Sequence, residues 1–256
     1  MYKLISLDLD GTLFNDQDQV SKRNMTAIKS CHQNNIETVV ATGRPPRFTF
    51  GRVPEDLLGG YCICYNGAMI FYNQSIIHEI NMDDKLVKEI IQMVETMDVS
   101  IKVSIESNDK IYCNFNLRDL WPKIDYEPIE NIDYKKVCKI LIMNQESLDY
   151  DKLQKQFGHL CNMIQTDHGR LIEIMPMGVS KYDAIKWVAD KEAICIKEII
   201  AFGDDLNDLE ILKGVGLGVA MENGHTKLKE VADHITLSNV EDGVAACLED
   251  IIRKLS

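Results

Sequence analysis

The chain has 256 residues, of which 45% are hydrophobic, and this is enough for a real core in one large domain or two modest ones. Its formal net charge of −12 argues against nucleic acid as a partner, and an anionic substrate would have to be met by local positive groups rather than by the overall field. No apolar run reaches about eighteen residues, no charged-then-apolar leader is present and no Cys-x-x-Cys pair occurs, so we expect a cytoplasmic protein without a membrane segment or a zinc site.

The first predicted element is a buried strand near 3–9, and it carries Asp8 and Asp10 beside a Gly-Thr turn. Carboxylates two residues apart on a strand project to the same face, so we expect these two anions to lie close together. Such proximity is costly unless a cation or a shared proton offsets it, and oxygen ligands suit Mg²⁺. Taken alone, the pair is equally compatible with a solvated turn at the end of a strand. A calcium loop would need further oxygen ligands and a flanking helix on either side.

A helix near 21–34 leads into a second predicted strand, 36–41, which ends at Thr42 and Gly43. A small hydroxyl and a flexible glycine at a strand-to-helix turn offer an oxyanion one O–H and one N–H donor. The same threonine can also serve as the N-cap of a helix that starts with proline, here predicted near 45–58. Both interpretations can hold at once.

The pattern changes around residues 82–84, after a strand near 61–65 and a hairpin across 69–80. The elements expected beyond this point are a helix near 84–97, strands near 99–105 and 109–115, a polar loop around 121–134, a strand at 137–143, a helix near 149–157 and a strand near 171–174. Some residues of this part are candidates for contact with a substrate, although each is more often a surface or packing residue. They are Arg118, Trp121, His168, Arg170 and Glu173.

A third polar segment opens the helix that follows this mixed region. Ser180, with Asp183 three residues later, has the pattern of a capping box before an apolar-periodic run. Lys181 then falls in the first helical turn, where the helix dipole disfavours a positive side chain. A lysine in that position indicates an anion in front of it, or else it is a solvated surface lysine.

The fourth polar segment follows a predicted strand at 198–202 and precedes another near 215–220. It places several oxygen ligands at one strand-to-helix turn: Asp204, Asp205, Asn207 and Asp208. Acids that cap a helix could account for part of this cluster. Capping alone does not readily explain why polar groups follow several strands. In an open parallel sheet the ligand site lies outside the carboxyl ends of the strands, which is where these groups are expected.

Together these segments resemble the four motifs of the haloacid dehalogenase superfamily, and most closely those of its Cof-type sugar-phosphate phosphatases. The segments are Asp8-Leu9-Asp10-Gly11-Thr12, Thr42-Gly43-Arg44, Ser180-Lys181 and Gly203-Asp204-Asp205-Leu206-Asn207-Asp208. Three further segments are typical of that family: Tyr65-Asn66-Gly67-Ala68, Gly218-Val219-Ala220-Met221 and Asp242-Gly243-Val244. The chain departs from the pattern at Tyr182, where glycine is common, and at Glu222-Asn223-Gly224-His225, which replaces a commoner Gly-Asn-Ala segment.

The resemblance implies an α/β fold with a Rossmann-like doubly wound parallel sheet as its core and an inserted α+β cap domain of the C2 type. The core is expected to be discontinuous, with residues 1–82 and 181–256 on either side of a cap at 83–180. The cap would then supply discrimination among substrates.

The resemblance also implies a role for each polar residue. Asp8 is expected to be the nucleophile that forms an aspartyl-phosphate, and Asp10 to protonate the leaving alkoxide and then deprotonate the attacking water. The expected ligands of Mg²⁺ are Asp8, Asp204 and the backbone carbonyl of Leu9 or Asp10, with family geometry favouring Asp10. The expected phosphate-binding groups are Thr42, the Gly43 N–H, Lys181 and Asn207, with Asp205 and Asp208 supporting the site from behind.

Three functions are compatible with these expectations. The favoured one is a Mg²⁺-dependent phosphatase of small phosphorylated metabolites, with sugar phosphates as the expected class. A hexose phosphomutase using the same aspartyl chemistry is the alternative enzyme. A non-catalytic, phosphate-responsive module like a receiver domain is the third, but receivers lack a second Asp two residues after the acceptor, and Asp10 is present here. The expected partner is a small phosphorylated metabolite, without nucleic acid or membrane, and the protein is expected to be a monomer or a homodimer.

Overall fold

The computed structural model describes residues 1–143, 145–166 and 169–254. These residues form two compact units. The first unit consists of Met1–His78 and the chain from Ser180 onward, and the second unit consists of Glu79–Val179. The sequence placed its boundaries at 82–83 and 180–181, and the identification of the second unit as a cap stays a prediction. Within the described part of the chain, no helix is long and apolar enough to cross a membrane.

The strands belong to two sheets. In chain order they are β1 (Leu4–Leu7), β2 (Glu37–Ala41), β3 (Tyr61–Cys64), β4 (Met69–Tyr72), β5 (Ser75–Glu79), β6 (Val103–Ser107), β7 (Lys110–Cys113), β8 (Glu127–Pro128), β9 (Val137–Met143), β10 (Cys161–Thr166), β11 (Leu171–Pro176), β12 (Ile199–Gly203), β13 (Leu217–Ala220) and β14 (His234–Ile235). The α-helices are α1 (Lys22–Gln33), α2 (Pro46–Thr49), α3 (Glu55–Leu58), α4 (Asp84–Met97), α5 (Tyr150–Phe157), α6 (Lys181–Lys191), α7 (Leu209–Gly214), α8 (Thr226–Lys229) and α9 (Gly243–Arg253).

The sheet of the first unit has the order β14-β13-β12-β1-β2-β3-β4-β5 among the described residues. Its strands from β14 to β3 pair in parallel, and β4 pairs antiparallel with β3. All residues of β1 and β12 are buried, Ser6 of β1 included, as is typical of parallel strands that are covered on both faces. Because the strands are parallel, β1, β2, β3 and β12 end at one edge of the sheet, and the loops that follow them lie close together.

Helices pack beside this sheet and complete its core. Ala184, Ile185 and Val188 of α6 are buried in one apolar cluster with residues of β1, β2, β3 and β12. Helix α1 contacts α9, and the Asn24 side chain accepts a hydrogen bond from the Ala245 backbone N–H at 2.9 Å. The predicted α/β fold class with a Rossmann-like parallel sheet is confirmed.

The second unit is built on a sheet with the order β10-β11-β9-β6-β7-β8 among the described residues. Its pairs are antiparallel except for the short pairing of β7 with β8. Helix α4 buries Val87, Ile90 and Val94 in an apolar cluster that also contains Leu153 of α5 and residues of the sheet. The unit therefore has an apolar core of its own.

Two predicted elements differ from the structure, and one strand of the second unit was missed. The helix predicted over 45–58 is two single turns, α2 and α3, because Gly51 has φ +88° and Pro54 precedes the second turn. Strand β6 starts at Val103 rather than near 99. Strand β10 was not predicted, because its sequence, Cys-Asn-Met-Ile-Gln-Thr, is neither a continuous apolar run nor a strict alternation of apolar and polar residues. The helix at 84–97 and the strand at 137–143 are confirmed.

Candidate active site

The turn after β1 does not present Asp8 and Asp10 as the sequence predicted. Strand β1 ends at Leu7, and the following residues form an irregular helical turn over Leu9–Leu13 in which Gly11 has φ +71°. The two carboxylates therefore do not share the face of a strand. Asp8 is buried, whereas the Asp10 side chain is 55% exposed and accepts two hydrogen bonds from the Arg44 guanidinium, with Nε at 2.7 Å.

A lysine at the start of α6 lies between two buried carboxylates. Lys181 Nζ donates to Asp8 Oδ1 at 2.5 Å and to Asp208 Oδ1 at 2.7 Å. Its side chain is 1% exposed, which excludes the alternative of a solvated surface lysine. The two carboxylates offset the unfavourable dipole of the first helical turn, where Ser180 caps the helix by accepting from the Asp183 N–H at 3.0 Å.

Burial and the charges of neighbouring side chains shift the pKa values of Asp8 and Lys181. Burial raises the pKa of Asp8 well above its usual value, with Asp208 and Asp204 adding to the rise and Lys181 opposing it. Burial alone would lower the pKa of Lys181, but the neighbouring carboxylates of Asp208 and Asp8 outweigh it and raise that pKa. The lysine is therefore held in its charged form.

Asp204 lies beside this ion pair on the loop after β12. Burial and the Asp208 charge raise the pKa of Asp204 to about 7, while Lys181 and a hydrogen bond from Thr12 oppose the shift. Thr12 Oγ1 donates to Asp204 Oδ1 at 3.1 Å, which fixes the orientation of this carboxylate. Gly11 allows the close approach, because a Cβ there would lie 2.3 Å from Asp204 Oδ2.

Three carboxylates of this site lie close enough together for oxygens among them to hold a metal. One oxygen each from Asp8, Asp204 and Asp208 lies within 4.8 Å of the others. An all-oxygen set with excess negative charge and raised carboxyl pKa values fits a hard cation such as Mg²⁺.

Asp208 is already occupied by other contacts. Its Oδ1 accepts from Lys181, and its Oδ2 accepts from the backbone N–H groups of Asp204 at 3.1 Å and Asp205 at 3.4 Å. Asp205 in turn caps the short turn Leu206–Asp208 by accepting from the Leu206 N–H at 2.8 Å. Both side chains thus hold the loop that carries Asp204.

The groups expected to bind phosphate lie on adjacent loops. Thr42 is buried, and its Oγ1 accepts from the Arg44 N–H at 3.0 Å, which leaves the threonine O–H as a donor. Asn207 Nδ2 donates to Asn66 Oδ1 at 2.9 Å. Gly43 lies against the same Asn66 side chain, since a Cβ on Gly43 would come within 3.0 Å of Asn66 Oδ1.

Three side chains with contacts at this site received no role from the sequence. They are Thr12, Arg44 and Asn66. Each lies inside a segment that the resemblance singled out, so the sequence marked the position. It did not indicate which way the side chain points. Arg44 also pairs with Asp18 at 2.8 Å, and Asp18 with Arg52 at 2.6 Å, so the contact with Asp10 is part of a chain of ion pairs.

The candidates in the second unit lie in different surroundings. Glu173 is buried and accepts from Lys139 Nζ at 2.7 Å, within the sheet of that unit. Arg118 pairs with Asp125 at 3.2 Å on the surface, and Trp121 and Arg170 are exposed. His168 lies outside the described residues.

Comparison with known proteins agrees with this geometry. Residues 5–248 match the model of a family described as haloacid dehalogenase-like hydrolases. The chain is 31% identical over 254 residues to 5-amino-6-(5-phospho-D-ribitylamino)uracil phosphatase YcsE of Bacillus subtilis, a match that covers 96% of this chain and 94% of the relative. It is 29% identical to phosphatase YwpJ of the same organism, with 98% and 100% of the two chains covered.

A solved structure shows the same fold. It is that of a haloacid dehalogenase-like hydrolase from Bacteroides thetaiotaomicron, with a TM-score of 0.79 and 28% sequence identity. The match covers 98% of this chain and 100% of that one. The likeness therefore extends over both units of the chain.

Proposed function

Because the chain belongs to the haloacid dehalogenase-like hydrolases and is a Cof-type phosphatase among them, we propose that it hydrolyses small phosphorylated metabolites through an aspartyl-phosphate on Asp8. The observation that carries this proposal is the state of the Asp8 carboxylate. It is buried, Lys181 holds its Oδ1 at 2.5 Å, and no described residue donates to its Oδ2. A carboxylate oxygen that Lys181 orients, and to which no described residue donates a hydrogen bond, is suited to attack phosphorus.

The chemistry proceeds in two steps. Asp8 Oδ2 bonds to phosphorus as the bond to the ester oxygen breaks, and the leaving alkoxide takes a proton from Asp10. Water then attacks the phosphorus of the aspartyl-phosphate and gives its proton to Asp10, which releases inorganic phosphate and regenerates the Asp8 carboxylate. In the structure Arg44 binds the Asp10 carboxylate, so this contact holds the acid–base group when it is ionised.

Four donors are proposed to bind the phosphoryl oxygens. They are the Thr42 O–H, the Gly43 N–H, the Lys181 ammonium and the Asn207 amide. Donors aimed at the equatorial oxygens stabilise the charge that develops there, and they are most effective in a buried site such as this one. Thr42 and Lys181 are each 1% exposed.

The proposed ligands of Mg²⁺ are the Asp8 and Asp204 carboxylates and the backbone carbonyl of Asp10. Asp208 is assigned a supporting place, because Lys181 and two backbone N–H groups already occupy its oxygens. When bound, Mg²⁺ supplies positive charge between the carboxylates and the phosphoryl group.

The proposed substrates are monophosphates of sugars and sugar alcohols. The name of the relative YcsE describes a phosphate ester on the ribityl chain of a pyrimidine, which is an ester of this kind. The four motifs supply groups for the phosphoryl end of such an ester, so the rest of the metabolite is distinguished elsewhere.

The test is a screen of hexose, pentose and pentitol phosphates, nucleotides and phosphorylated cofactors for phosphate release with Mg²⁺. Asp8→Asn keeps the volume of the side chain but removes its charge, so we expect a loss of several orders of magnitude in kcat. Near-wild-type activity of Asp8→Asn, with loss of activity in Asp10→Asn, would contradict the assignment of the nucleophile. Interconversion of hexose-phosphate isomers that depends on a bisphosphate activator, without phosphate release, would identify a phosphomutase instead.

A further inference from the structure

The turn after β3 has an unusual backbone. Tyr65, Asn66 and Gly67 all have positive φ, at +51°, +54° and +114°. Two consecutive non-glycine residues in the left-handed region are uncommon, although asparagine tolerates it better than most side chains. Such a conformation persists only where the surrounding contacts hold it, and it is often found at functional sites.

The contacts that hold this turn come from two other loops of the site. The backbone N–H of Tyr65 donates to the Arg44 carbonyl at 3.1 Å, and that of Asn66 donates to the Thr42 carbonyl at 3.0 Å. On the other side, a Cβ on Gly67 would lie 2.5 Å from the Ser180 carbonyl oxygen. The turn is therefore fastened to the loop after β2 and lies directly against the start of α6.

The Asn66 side chain extends the same connection to the loop after β12. It is 1% exposed, and its Oδ1 accepts a hydrogen bond from Asn207 Nδ2 at 2.9 Å. Its carboxamide occupies space that a side chain at Gly43 would fill. Asn207 Oδ1 is buried and has no hydrogen-bond partner among the described residues, so the bond to Asn66 is what orients this amide.

We propose that Asn66 is a positioning residue for phosphoryl transfer. By accepting one hydrogen of the Asn207 amide, it fixes the rotation of that amide and presents the second hydrogen of Nδ2 to a phosphoryl oxygen. The strained backbone of Tyr65 and Asn66 is the means by which the carboxamide reaches this position between two phosphate-binding loops. The inference rests on the proposed function of the site and adds a residue to its machinery.

The decisive variant is Asn66→Gly. Glycine adopts positive φ without strain, so the variant keeps the turn and removes only the carboxamide. We expect kcat/KM for the best ester of the substrate screen to fall by about tenfold or more, since a donor to the phosphoryl group becomes disordered. The thermal midpoint should stay equal to that of the wild type or rise. Asn73→Gly is the matched control, because Asn73 also has positive φ (+47°) but is exposed in the turn between β4 and β5, and it should keep full activity.

A double-mutant cycle separates positioning from a merely structural role. If Asn66 acts through Asn207, Asn66→Gly should have little further effect in an Asn207→Ala background. Three outcomes would each overturn the proposal. The first is wild-type kcat/KM in Asn66→Gly, and the second is a double variant whose loss of kcat/KM equals the product of the two single losses. The third is a loss of activity in Asn66→Gly that is matched by a fall in its thermal midpoint.

A binding measurement keeps the inference independent of turnover. Inorganic phosphate with Mg²⁺ should raise the thermal midpoint of the wild type and of Asn73→Gly more than that of Asn66→Gly. An equal rise in all three proteins, or no rise in any of them, would overturn the role of Asn66. Absence of phosphate release from every ester by the wild type would instead overturn the proposed function.

Discussion

Lys181 is the positive charge that two buried carboxylates, those of Asp8 and Asp208, share. Lys181→Met would keep much of the side-chain volume and leave Asp8 and Asp208 without this counter-charge. Breaking a buried ion pair from one side costs about 3 kcal/mol or more. We expect the free energy of unfolding, measured with urea at pH 8 without metal, to fall by that amount.

The control for this prediction lies on the same helix. Lys186 is half-exposed and pairs only loosely with Asp183, at 3.9 Å, so Lys186→Met should change the free energy of unfolding by no more than about 0.5 kcal/mol. The loss in Lys181→Met should shrink toward pH 5, because a protonated Asp8 needs no counter-charge. Equal stability of the two variants at pH 8 would contradict the prediction.

Asp204 makes the metal-free protein sensitive to pH. Its pKa of about 7 in the folded state lies above the ordinary carboxyl value of 3.8, so the folded state binds this proton more tightly than the unfolded state does. The stability that this group contributes is therefore fully present below about pH 4 and is lost as pH rises through 7. In chelator at pH 8, Asp204→Asn should raise the free energy of unfolding by an amount on the order of 2 kcal/mol, and at pH 5 by less.

The same substitution should remove the response to metal. Mg²⁺ should raise the thermal midpoint of the wild type and restore the activity lost in chelator, but it should have little effect on either in Asp204→Asn. A lower stability of Asp204→Asn in chelator at pH 8, or full activity of the wild type in excess chelator, would be inconsistent with this arrangement of the site.

At the scale of elements, the turn after β3 and the start of α6 approach too closely for a side chain. Gly67→Ala would bring a Cβ within 2.5 Å of the Ser180 carbonyl oxygen at a backbone φ of +114°. Strain and the displaced helix should together lower the free energy of unfolding by about 2–3 kcal/mol. Because the start of α6 carries Lys181, activity should fall as well.

A second glycine separates the two causes. Gly51 also has positive φ, at +88°, but a Cβ there would meet nothing within 4 Å. Gly51→Ala should therefore show the conformational cost alone, about 1 kcal/mol, with full activity. Urea unfolding of the two variants tests the comparison, and similar losses of stability in both would show that the approach to Ser180 is not the cause.

At the scale of the whole molecule, each unit has its own apolar cluster, and the proposed chemistry lies in the first unit. The cluster around α4 and α5 draws only on the second unit, and the cluster around α6 only on the first. We expect a chain in which a short Gly/Ser linker replaces 79–179 to fold and to hydrolyse a small activated phosphate ester with Mg²⁺. Its preference among natural phosphates should weaken greatly, because the remaining donors recognise only the phosphoryl group. If the shortened enzyme ranks sugar phosphates as the full chain does, discrimination lies in the first unit and the proposed division fails.

Sequence alone predicts the parts of this protein that local patterns control. Apolar runs that end in polar residues identified β1, β2 and β12, and the capping pattern at Ser180 identified the start of α6. The expectation that these strand ends meet at one edge follows from the parallel sheet, because parallel strands end on the same side. The broken helix over 45–58 shows the limit of periodicity, since Gly51 with positive φ and Pro54 separate its two turns.

The directions of the side chains at the site depend on contacts between residues far apart in the chain. Asp10 turns toward Arg44 rather than toward Asp8, because the irregular turn after β1 replaces the strand that the spacing of the two residues suggested. Asn66 meets Asn207 across 141 positions of sequence, through a turn in which Tyr65 also has positive φ. Local sequence determined which residues stand at the ends of the strands, whereas tertiary structure decided which of them touch, because those contacts arise only when distant loops are packed against one another.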